Sequence, residues 1–235
     1  MTDSMKGIDV SKWQGDIDWG IVKNEVDFAI IRAGYGNNNI DTKAIQNVKG
    51  CEENGIPFGL YWFSYAYTVD MARNEAKCLL EFVKGHVPLF PLYFDFEYDS
   101  IKYAEKQGVV ITNELLRSMA SAFCEELENA GYYAGIYANF DYVTRMYGEE
   151  IFKKYDLWYA RWGVSKPDRN VHIWQTGSDG SVNGISGRVD TDVSFIDFPS
   201  LIKEKGLNGY KAEPEFVCPN KCPHCHFAKR FMKVE

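Results

Sequence analysis

The residues most able to do chemistry are two carboxylates that follow an apolar segment in the middle of the chain. Residues 89–94 are apolar or aromatic apart from the hydroxyl of Tyr93, and Asp95 and Glu97 follow with Phe96 between them. In a β-strand alternate side chains share one face, so Tyr93, Asp95 and Glu97 lie together and the two carboxylates start about 6–7 Å apart. Two carboxylates this close cannot both ionise cheaply, which raises one pKa. A protonated carboxyl beside an anionic one suits hydrolysis of a glycosidic bond. Two acidic N-cap residues at the junction of a strand and a loop would give the same sequence pattern.

Composition excludes several classes of protein. The chain has 235 residues, of which 46% are hydrophobic, enough for one sizeable core in one or two domains. The net charge of −7 argues against nucleic acid and anionic membrane surfaces as partners. The sequence contains no run of 18 apolar residues, so no transmembrane helix is predicted. The 15 tyrosines and 6 tryptophans are typical of sugar-binding clefts, although protein cores also use them. The oligomeric state is left open.

Strands and helices alternate along most of the sequence, and we expect an α/β fold. Five strands are each followed by a helix, and three strands with only short loops between them complete the chain. The predicted strands are residues 6–12, 28–34, 58–65, 89–97, 132–137, 157–161, 171–175 and 189–193. The predicted helices are residues 16–26, 42–54, 69–84, 112–131 and 141–155. Apolar strands that alternate with helices indicate a parallel sheet buried on both faces, and eight strands suffice to close a modified TIM-type barrel.

Acidic residues recur near the ends of three predicted strands. Asp9 lies on the first, Asp95 and Glu97 on the fourth, and Asp190 and Asp192 on the last. The first and last strands are neighbours in a closed barrel, and the fourth faces them. Because chemistry in such barrels sits at the carboxyl ends of the strands, we expect five carboxylates around one mouth.

Three motifs in this order resemble the glycoside hydrolase family 25 muramidases, cell-wall lysozymes common among phage endolysins. They are GIDVSKWQG at residues 7–15, YFDFE at residues 93–97 and VDTDV at residues 189–193, and the resemblance runs from residue 5 to about residue 203. It implies a fold of five β/α units followed by three strands, (β/α)5(β)3, in agreement with the count above. It also implies a glycoside hydrolase that cleaves the β-1,4 bond between N-acetylmuramic acid and N-acetylglucosamine in bacterial peptidoglycan.

The resemblance also implies roles for individual residues. The acids that match the family's catalytic set, with Glu97 as proton donor, are Glu97, Asp95, Asp9 and Asp190. The residues expected to contact substrate are Tyr61, Tyr137, Gln175 and Asp192. For the mechanism we expect Glu97 to act as acid and then base while Asp95 polarises the substrate's own 2-acetamido group. Inversion, with Asp9 or Asp190 activating water, is the competing route.

Other functions would use parts of the same pattern. A divalent-metal enzyme could use the carboxylates as oxygen ligands, but acids from opposite sides of a mouth suit a sugar better than a compact cation site. We therefore expect no cofactor for catalysis and no metal in the barrel. Serine chemistry lacks a histidine near Ser11. A non-catalytic glycan-binding barrel has no need of four acids, and an N-acetylglucosaminidase would cut the other glycosidic bond.

The two ends of the chain carry separate expectations. We expect a catalytic barrel over residues 1–205, and a linker with a short cysteine-containing tail over residues 206–235. The tail offers three thiols and a histidine for a structural zinc, although a disulfide or free thiols would fit as well. These residues are Cys218, Cys222, Cys225 and either His224 or His226. The amino end has no apolar signal segment, so we expect synthesis in the cytoplasm and action on the wall after phage-type lysis or non-classical export.

Overall fold

A closed eight-stranded barrel forms the centre of the molecule in the computed structural model, which describes residues 4–211. Its strands are β1 (Met5–Val10), β2 (Phe28–Tyr35), β4 (Phe58–Phe63), β5 (Leu92–Asp95), β6 (Ala134–Asn139), β7 (Asp156–Ala160), β8 (Ile173–Gly180) and β9 (Val189–Ser194). They pair in this order, and β1 closes the barrel by pairing with both β2 and β9. The short strand β3 (Asn39–Ile40) extends the end of β2 as a hairpin. The predicted α/β barrel of eight strands is confirmed.

The last strand differs from the expectation of a parallel sheet. β9 runs antiparallel to both β8 and β1, whereas the other barrel pairs are parallel. The connection between β8 and β9, residues 181–188, is too short for a parallel crossover, and a hairpin is the geometry that it permits. As a result, the beginning of β9 lies at the end of the barrel where the parallel strands finish.

The helices occupy the outside of the barrel and confirm most of the predicted pattern. They are α1 (Trp19–Val22), α2 (Ala44–Asn54), α3 (Val69–Phe82), α4 (Tyr98–Lys106), α5 (Asn113–Asn129), α6 (Phe140–Tyr142) and α7 (Phe198–Lys205). A π-helical turn, Val143–Tyr147, and a 3-10 turn, Glu150–Lys153, follow α6. α5 is the longest helix, as predicted, and begins where the Thr112 hydroxyl accepts a bond from the Leu115 amide at 3.1 Å. Two helices, α4 and α7, were not predicted, and α1 is shorter than the predicted residues 16–26.

Helix α7 closes one end of the barrel. Phe198 and Ile202 are fully buried and belong to the apolar cluster that fills the barrel interior. The ring of Phe198 lies 5.3 Å from that of Phe90, which stacks on Phe28 at 4.3 Å. Because aromatic side chains fill this end, the opposite end is the open mouth.

Packing against the barrel continues beyond the predicted boundary at residue 205. Asn208 is fully buried, and its side-chain amide donates to the carbonyls of Pro88 and Phe90 at 2.9 and 3.0 Å. Its side-chain oxygen accepts a bond from the Tyr133 amide at 2.7 Å. These contacts tie residues 206–210 to the closed end of the barrel rather than leaving them as a linker.

Two sequence predictions concern other parts of the chain. The predicted zinc ligands, Cys218, Cys222, Cys225 and either His224 or His226, lie outside the described residues, so the tail site stays a prediction. Within residues 4–211, no helix is both long and apolar enough to cross a bilayer.

Candidate active site

A cavity of about 280 Å³ opens at the mouth of the barrel and gathers most of the predicted site residues. The predicted residues that line it are Asp9, Tyr61, Asp95, Glu97, Tyr137, Gln175 and Asp190. Asp192 is not among the lining residues. The seven lining residues come from six different strands or strand ends, which only closure of the barrel brings together.

Asp9 and Asp190 face each other across the junction of β1 and β9. The register pairs Asp9 with Asp190 and Gly7 with Asp192, so Asp192 lies one step deeper in the barrel. The reversed direction of β9 places Asp190 near its beginning and at the mouth. The first and last strands of the barrel therefore meet at the site.

A hydrogen-bond network fixes the position of Asp9. Gln175 is only 3% exposed, and its amide nitrogen donates to Asp9 Oδ2 at 2.7 Å. The Gln175 oxygen accepts bonds from the Tyr137 hydroxyl at 3.0 Å and the Trp162 indole at 3.1 Å. With its oxygen and nitrogen both bonded to protein groups, Gln175 orients Asp9 and Tyr137.

Asp192 supports the site from below. It is 2% exposed, and its Oδ1 accepts a bond from the Trp158 indole nitrogen at 2.7 Å. Its Oδ2 has no hydrogen-bond partner among the described residues, and its charge helps to raise the pKa of Asp9. The structure thus places Asp192 beneath the cavity floor rather than on the surface that a sugar would touch.

Asp95 and Glu97 stand on the other side of the mouth. The predicted strand over residues 89–97 is shorter in the structure, because β5 ends at Asp95 and Glu97 is already the N-cap of α4. Asp95 and Glu97 both line the cavity, whereas Phe94 and Phe96 belong to the cluster between the barrel and the helices. The alternation expected of a strand therefore holds through residue 97.

Buried polar groups connect the Asp95 and Glu97 backbone to the neighbouring strand. The Ser100 hydroxyl accepts a bond from the Glu97 amide at 3.1 Å and donates to the Ser64 carbonyl at 2.6 Å. The Ser64 amide in turn donates to the Asp95 carbonyl at 2.7 Å, and its hydroxyl donates to Glu75 Oε2 at 2.5 Å. Ser64 and Ser100 are fully buried and Glu75 is 2% exposed, so this network restrains the spacing of the two acids.

Burial raises the pKa of each acid at the mouth. It raises the pKa of Glu97 to about 7, with the charges of Asp190 and Asp99 adding to the effect. The pKa of Asp95 rises well above its ordinary value because of burial and then the Glu97 charge, and Arg32 opposes that rise. The sequence predicted that one of these neighbouring carboxylates would raise the pKa of the other. The Glu97 charge does raise that of Asp95, whereas burial, Asp190 and Asp99 raise that of Glu97.

The acids on β1 and β9 respond to burial in the same direction. The pKa of Asp9 is raised by burial and then by the charges of Asp192 and Asp190. Burial also raises the pKa of Asp190, and it raises that of Asp192 to about 7. The mouth therefore retains protons on some of its acids near neutral pH.

The cavity also contains residues that were not predicted as site residues, among them Arg32, Trp13 and Trp162. Arg32 is held by Asp41, with its Nε and Nη2 atoms both 2.7 Å from Oδ2. Its signal was a lone charge within the apolar strand FAIIRAG. Trp13 and Trp162 are 76% and 50% exposed at the cavity rim. Trp13 lies on a 3-10 turn, Lys12–Gln14, within the motif at residues 7–15, but no role was predicted for it, and Trp162 follows β7 without a recognisable pattern.

Comparison with known proteins gives the family. The model of glycosyl hydrolases family 25 matches residues 8–185, most of the chain and every strand except the first half of β1 and the whole of β9. The chain belongs to glycosyl hydrolases family 25. The match spans Asp9, Asp95 and Glu97, and it ends shortly before Asp190.

Named relatives agree with this family. The chain is 29% identical over 196 residues to the autolytic lysozyme of Clostridium acetobutylicum. This match covers 80% of this chain and 55% of that protein. The catalytic domain of endolysin ply40, from bacteriophage P40 of Listeria monocytogenes, superposes with a TM-score of 0.72 at 26% identity, covering 88% of this chain and 99% of that domain. The modular autolysin LytC of Streptococcus pneumoniae gives a TM-score of 0.72 at 27% identity, over 83% of this chain but only 47% of that one. These matches confirm the predicted family, the barrel and the assignment to lysozyme-type glycoside hydrolases.

Proposed function

We propose that this chain is an N-acetylmuramidase that hydrolyses the β-1,4 bond between N-acetylmuramic acid and N-acetylglucosamine in bacterial peptidoglycan. The observation that carries the proposal is the pair Asp95 and Glu97 in one cavity, where burial raises the pKa of Glu97 to about 7. A carboxyl group with such a pKa holds a proton at neutral pH and can still release it to a leaving group. Family membership and the lysozyme relatives support the same substrate.

Glu97 supplies the proton for the first step. Cleavage breaks the bond between C1 of N-acetylmuramic acid and the bridging oxygen, and the Glu97 proton passes to that oxygen as it leaves. The Ser100 hydroxyl, which accepts the Glu97 amide hydrogen bond, fixes the backbone from which this side chain projects. Positive charge then develops on the sugar ring, and the surrounding acids stabilise it.

Asp95 orients the nucleophile, which is the acetamido oxygen of the substrate. Asp95 lines the cavity, and its buried Oδ1 accepts no hydrogen bond from any group in residues 4–211, so the carboxylate keeps bonding capacity for the acetamide N–H. Polarised in this way, the acetamide oxygen bonds to C1 and forms an oxazolinium intermediate. Glu97 then removes a proton from water, the water oxygen bonds to C1, and the intermediate opens with net retention.

The acids on the opposite wall act through their charge. Gln175 holds the Asp9 side chain, and the register of β1 with β9 places Asp190 beside Asp9, so the strand pairing sets the positions of both acids before substrate enters. Preorganised groups of this kind stabilise developing positive charge without a reorganisation cost. Because Asp9 and Asp192 are already bonded to Gln175 and Trp158, the wall favours sugar contact over a compact cation site, and we propose that catalysis needs no metal or other cofactor.

Glu97→Gln tests the enzyme assignment. We expect kcat on purified cell walls to fall by about 10²–10⁴-fold, since general acid catalysis contributes an effect of that size. Binding to walls should persist, and EDTA should leave the wild-type rate unchanged. Wall binding without hydrolysis by the wild type as well would favour a glycan-binding barrel, full activity in the variant would exclude Glu97 as the acid, and loss of wild-type activity with EDTA would favour a metal enzyme.

The anomer first released tests the mechanism. NMR before mutarotation should show the β-anomer, because two displacements at C1 retain configuration. An initial α-anomer would exclude acetamide participation and favour attack by water activated by Asp9 or Asp190.

The same proposal sets where the enzyme acts. Its substrate is the bacterial wall, and we propose that the chain reaches it after phage-type lysis or by a non-classical export route. Detection of the chain in culture medium before and after induced lysis would separate these routes.

A further inference from the structure

A second cavity, of about 550 Å³, lies beside the mouth and is lined by three tyrosines. Tyr35 ends β2, Tyr65 follows β4, and Tyr103 lies on α4. We call these three residues the tyrosine patch. None of them lines the catalytic cavity.

The rings of the tyrosine patch hold one another at inclined angles. Tyr35 and Tyr65 have ring centroids 6.5 Å apart at 81°, and Tyr65 and Tyr103 are 5.1 Å apart at 59°. Tyr103 is 39% exposed. These side chains thus present ring faces and edges to solvent, and because they pack on one another they lose little conformational entropy on binding.

The backbone below the tyrosine patch is fixed. Gly36, with φ of +52°, forms the turn after β2, and its amide donates to the Phe63 carbonyl at 2.9 Å. The Gly36 carbonyl accepts a bond from the Trp62 indole at 3.0 Å. On the other side of the cavity, the Tyr65 amide donates to Glu75 Oε1 at 2.9 Å. The site is therefore preformed.

Side chains connect the tyrosine patch to the catalytic cavity. Phe63 lines the catalytic cavity, and its ring lies 5.2 Å from that of Tyr65. On the other edge, Lys12 Nζ lies 4.9 Å from the ring of Trp13 and 5.6 Å from that of Tyr35. Trp13 is itself a cavity residue.

Helix α4 also joins the two sites. It begins at Glu97 and carries Tyr103 six residues later, about 9 Å along the axis at 1.5 Å per residue. A step of this size is comparable with the length of a disaccharide. A linear glycan with its scissile bond at Glu97 is therefore long enough to place another of its sugars near Tyr103.

The polar residues of this cavity suit a sugar. Amide groups come from Asn37 and Asn39, and α4 adds Asp99, Lys102 and Lys106. Lys102 is paired with Asp99 at 2.9 Å. Aromatic faces contact the apolar faces of a sugar ring, while amides and charged groups bond its hydroxyl and acetamido groups.

We propose that the tyrosine patch binds a further sugar unit of the same glycan strand, beyond the disaccharide at the catalytic cavity. This inference rests on the proposed function, because it takes the substrate to be a linear glycan. The tyrosine patch should therefore make the enzyme prefer long glycan strands over short ones.

The test uses peptide-free peptidoglycan glycans of defined length, from tetrasaccharide to decasaccharide. In the wild type, kcat/KM should rise with length. In Tyr103→Ala the ratio of kcat/KM on the longest to the shortest glycan should fall by roughly threefold to tenfold, the effect of one lost aromatic contact. Tyr103→Phe should keep most of that ratio because it keeps the ring.

Tyr210→Ala, at the closed end near α7, is the control and should show the wild-type dependence on length. An unchanged ratio in Tyr103→Ala would overturn the proposal, and so would a loss seen only on strands that carry stem peptides. Calorimetry of the decasaccharide with Glu97→Gln, with and without Tyr103→Ala, measures the same contact without cleavage. Weaker binding in the double variant supports the tyrosine patch even if the wild type proves to cut another bond, and equal binding contradicts it.

Discussion

The two walls of the mouth are built in different ways. On one wall, Asp95 and Glu97 lie two residues apart in a single segment. On the other, Asp9, Asp190 and Asp192 come from the two ends of the chain and meet across an antiparallel strand pair. We refer to these sets as the β5 acids and the β1–β9 acids.

The two sets also differ in their partners. Gln175 and Trp158 donate to the β1–β9 acids at 2.7 Å each. Among the described residues, Asp95 Oδ1 has no hydrogen-bond donor. Asp192 Oδ2, beneath the cavity floor, also has no donor among them, so the difference is one of position. In the cavity itself, Asp9 is held by Gln175, whereas Asp95 keeps an unbonded oxygen and therefore bonding capacity for a substrate. The difference indicates that the β5 acids carry the bond changes and the β1–β9 acids stabilise charge.

After Glu97→Gln, the largest effect on kcat should come from removing one carboxylate charge on each wall in turn. Asp95→Asn should lower kcat by about 100–1000-fold, the usual loss for one preorganised electrostatic group. Asp190→Asn should lower it about tenfold, equivalent to ~1.4 kcal/mol in the barrier. Steady-state kinetics on a soluble glycan measures both, and equal losses would remove the distinction between the walls.

A smaller effect should follow from loosening the support of the β5 acids. Ser100→Ala removes the hydrogen bonds to the Glu97 amide and the Ser64 carbonyl. We expect kcat to fall about tenfold through misplacement of Glu97, with KM little changed, and stability to fall by about 1–3 kcal/mol. Ser118→Ala, at an exposed position of α5, is the matched control and should behave as wild type.

The pH dependence should connect the two walls. Glu97 must be protonated to act as the acid, so kcat/KM should decline as the pH rises through about 7. The charge of Asp190 helps to raise the pKa of Glu97, and Asp190→Asn should therefore move this decline towards lower pH. Glu204→Gln removes one negative charge at the closed end and should leave the profile in place. A profile that Asp190→Asn does not move would show that the walls are electrostatically independent.

The smallest catalytic effect is expected at Asp192, where stability should respond instead. Its pKa rises from 3.8 to about 7 on folding, so the folded state binds the proton more tightly and stability is lost as the pH rises through that range. Asp192→Asn cannot ionise, and its stability should fall less than that of the wild type between pH 5 and pH 8. We expect a difference of about 1–3 kcal/mol, since one pKa unit corresponds to 1.36 kcal/mol. Thermal melts at both pH values measure it, with exposed Asp179→Asn as the control; a parallel fall in wild type and variant would contradict it.

The same contrast explains what could be predicted from the sequence. Asp95 and Glu97 are two residues apart, so the period of a strand alone places them on one face. Asp9 and Asp190 are brought together by closure of the barrel, which the count of eight strands predicted. The direction of β9 was missed, because apolar patterning reports burial and not strand orientation.

Other features left no comparable signal. Gln175 reached the predicted set through the family resemblance, and its bonds to Asp9, Tyr137 and Trp162 depend on side chains from four segments. Helix α4 begins directly after the acid pair, so the alternating pattern of the strand runs into the start of the helix and its first residue could not be recognised. Arg32 was visible as a charge in an apolar strand, but its ion pair with Asp41 requires the fold.

The central claim is that this mouth cleaves after N-acetylmuramic acid. Purified peptidoglycan digested with the enzyme and reduced with borohydride measures this directly. The account predicts that the new reducing ends are muramic acid, recovered as muramitol after hydrolysis. Reduced glucosamine in its place would make the enzyme an N-acetylglucosaminidase and contradict the account.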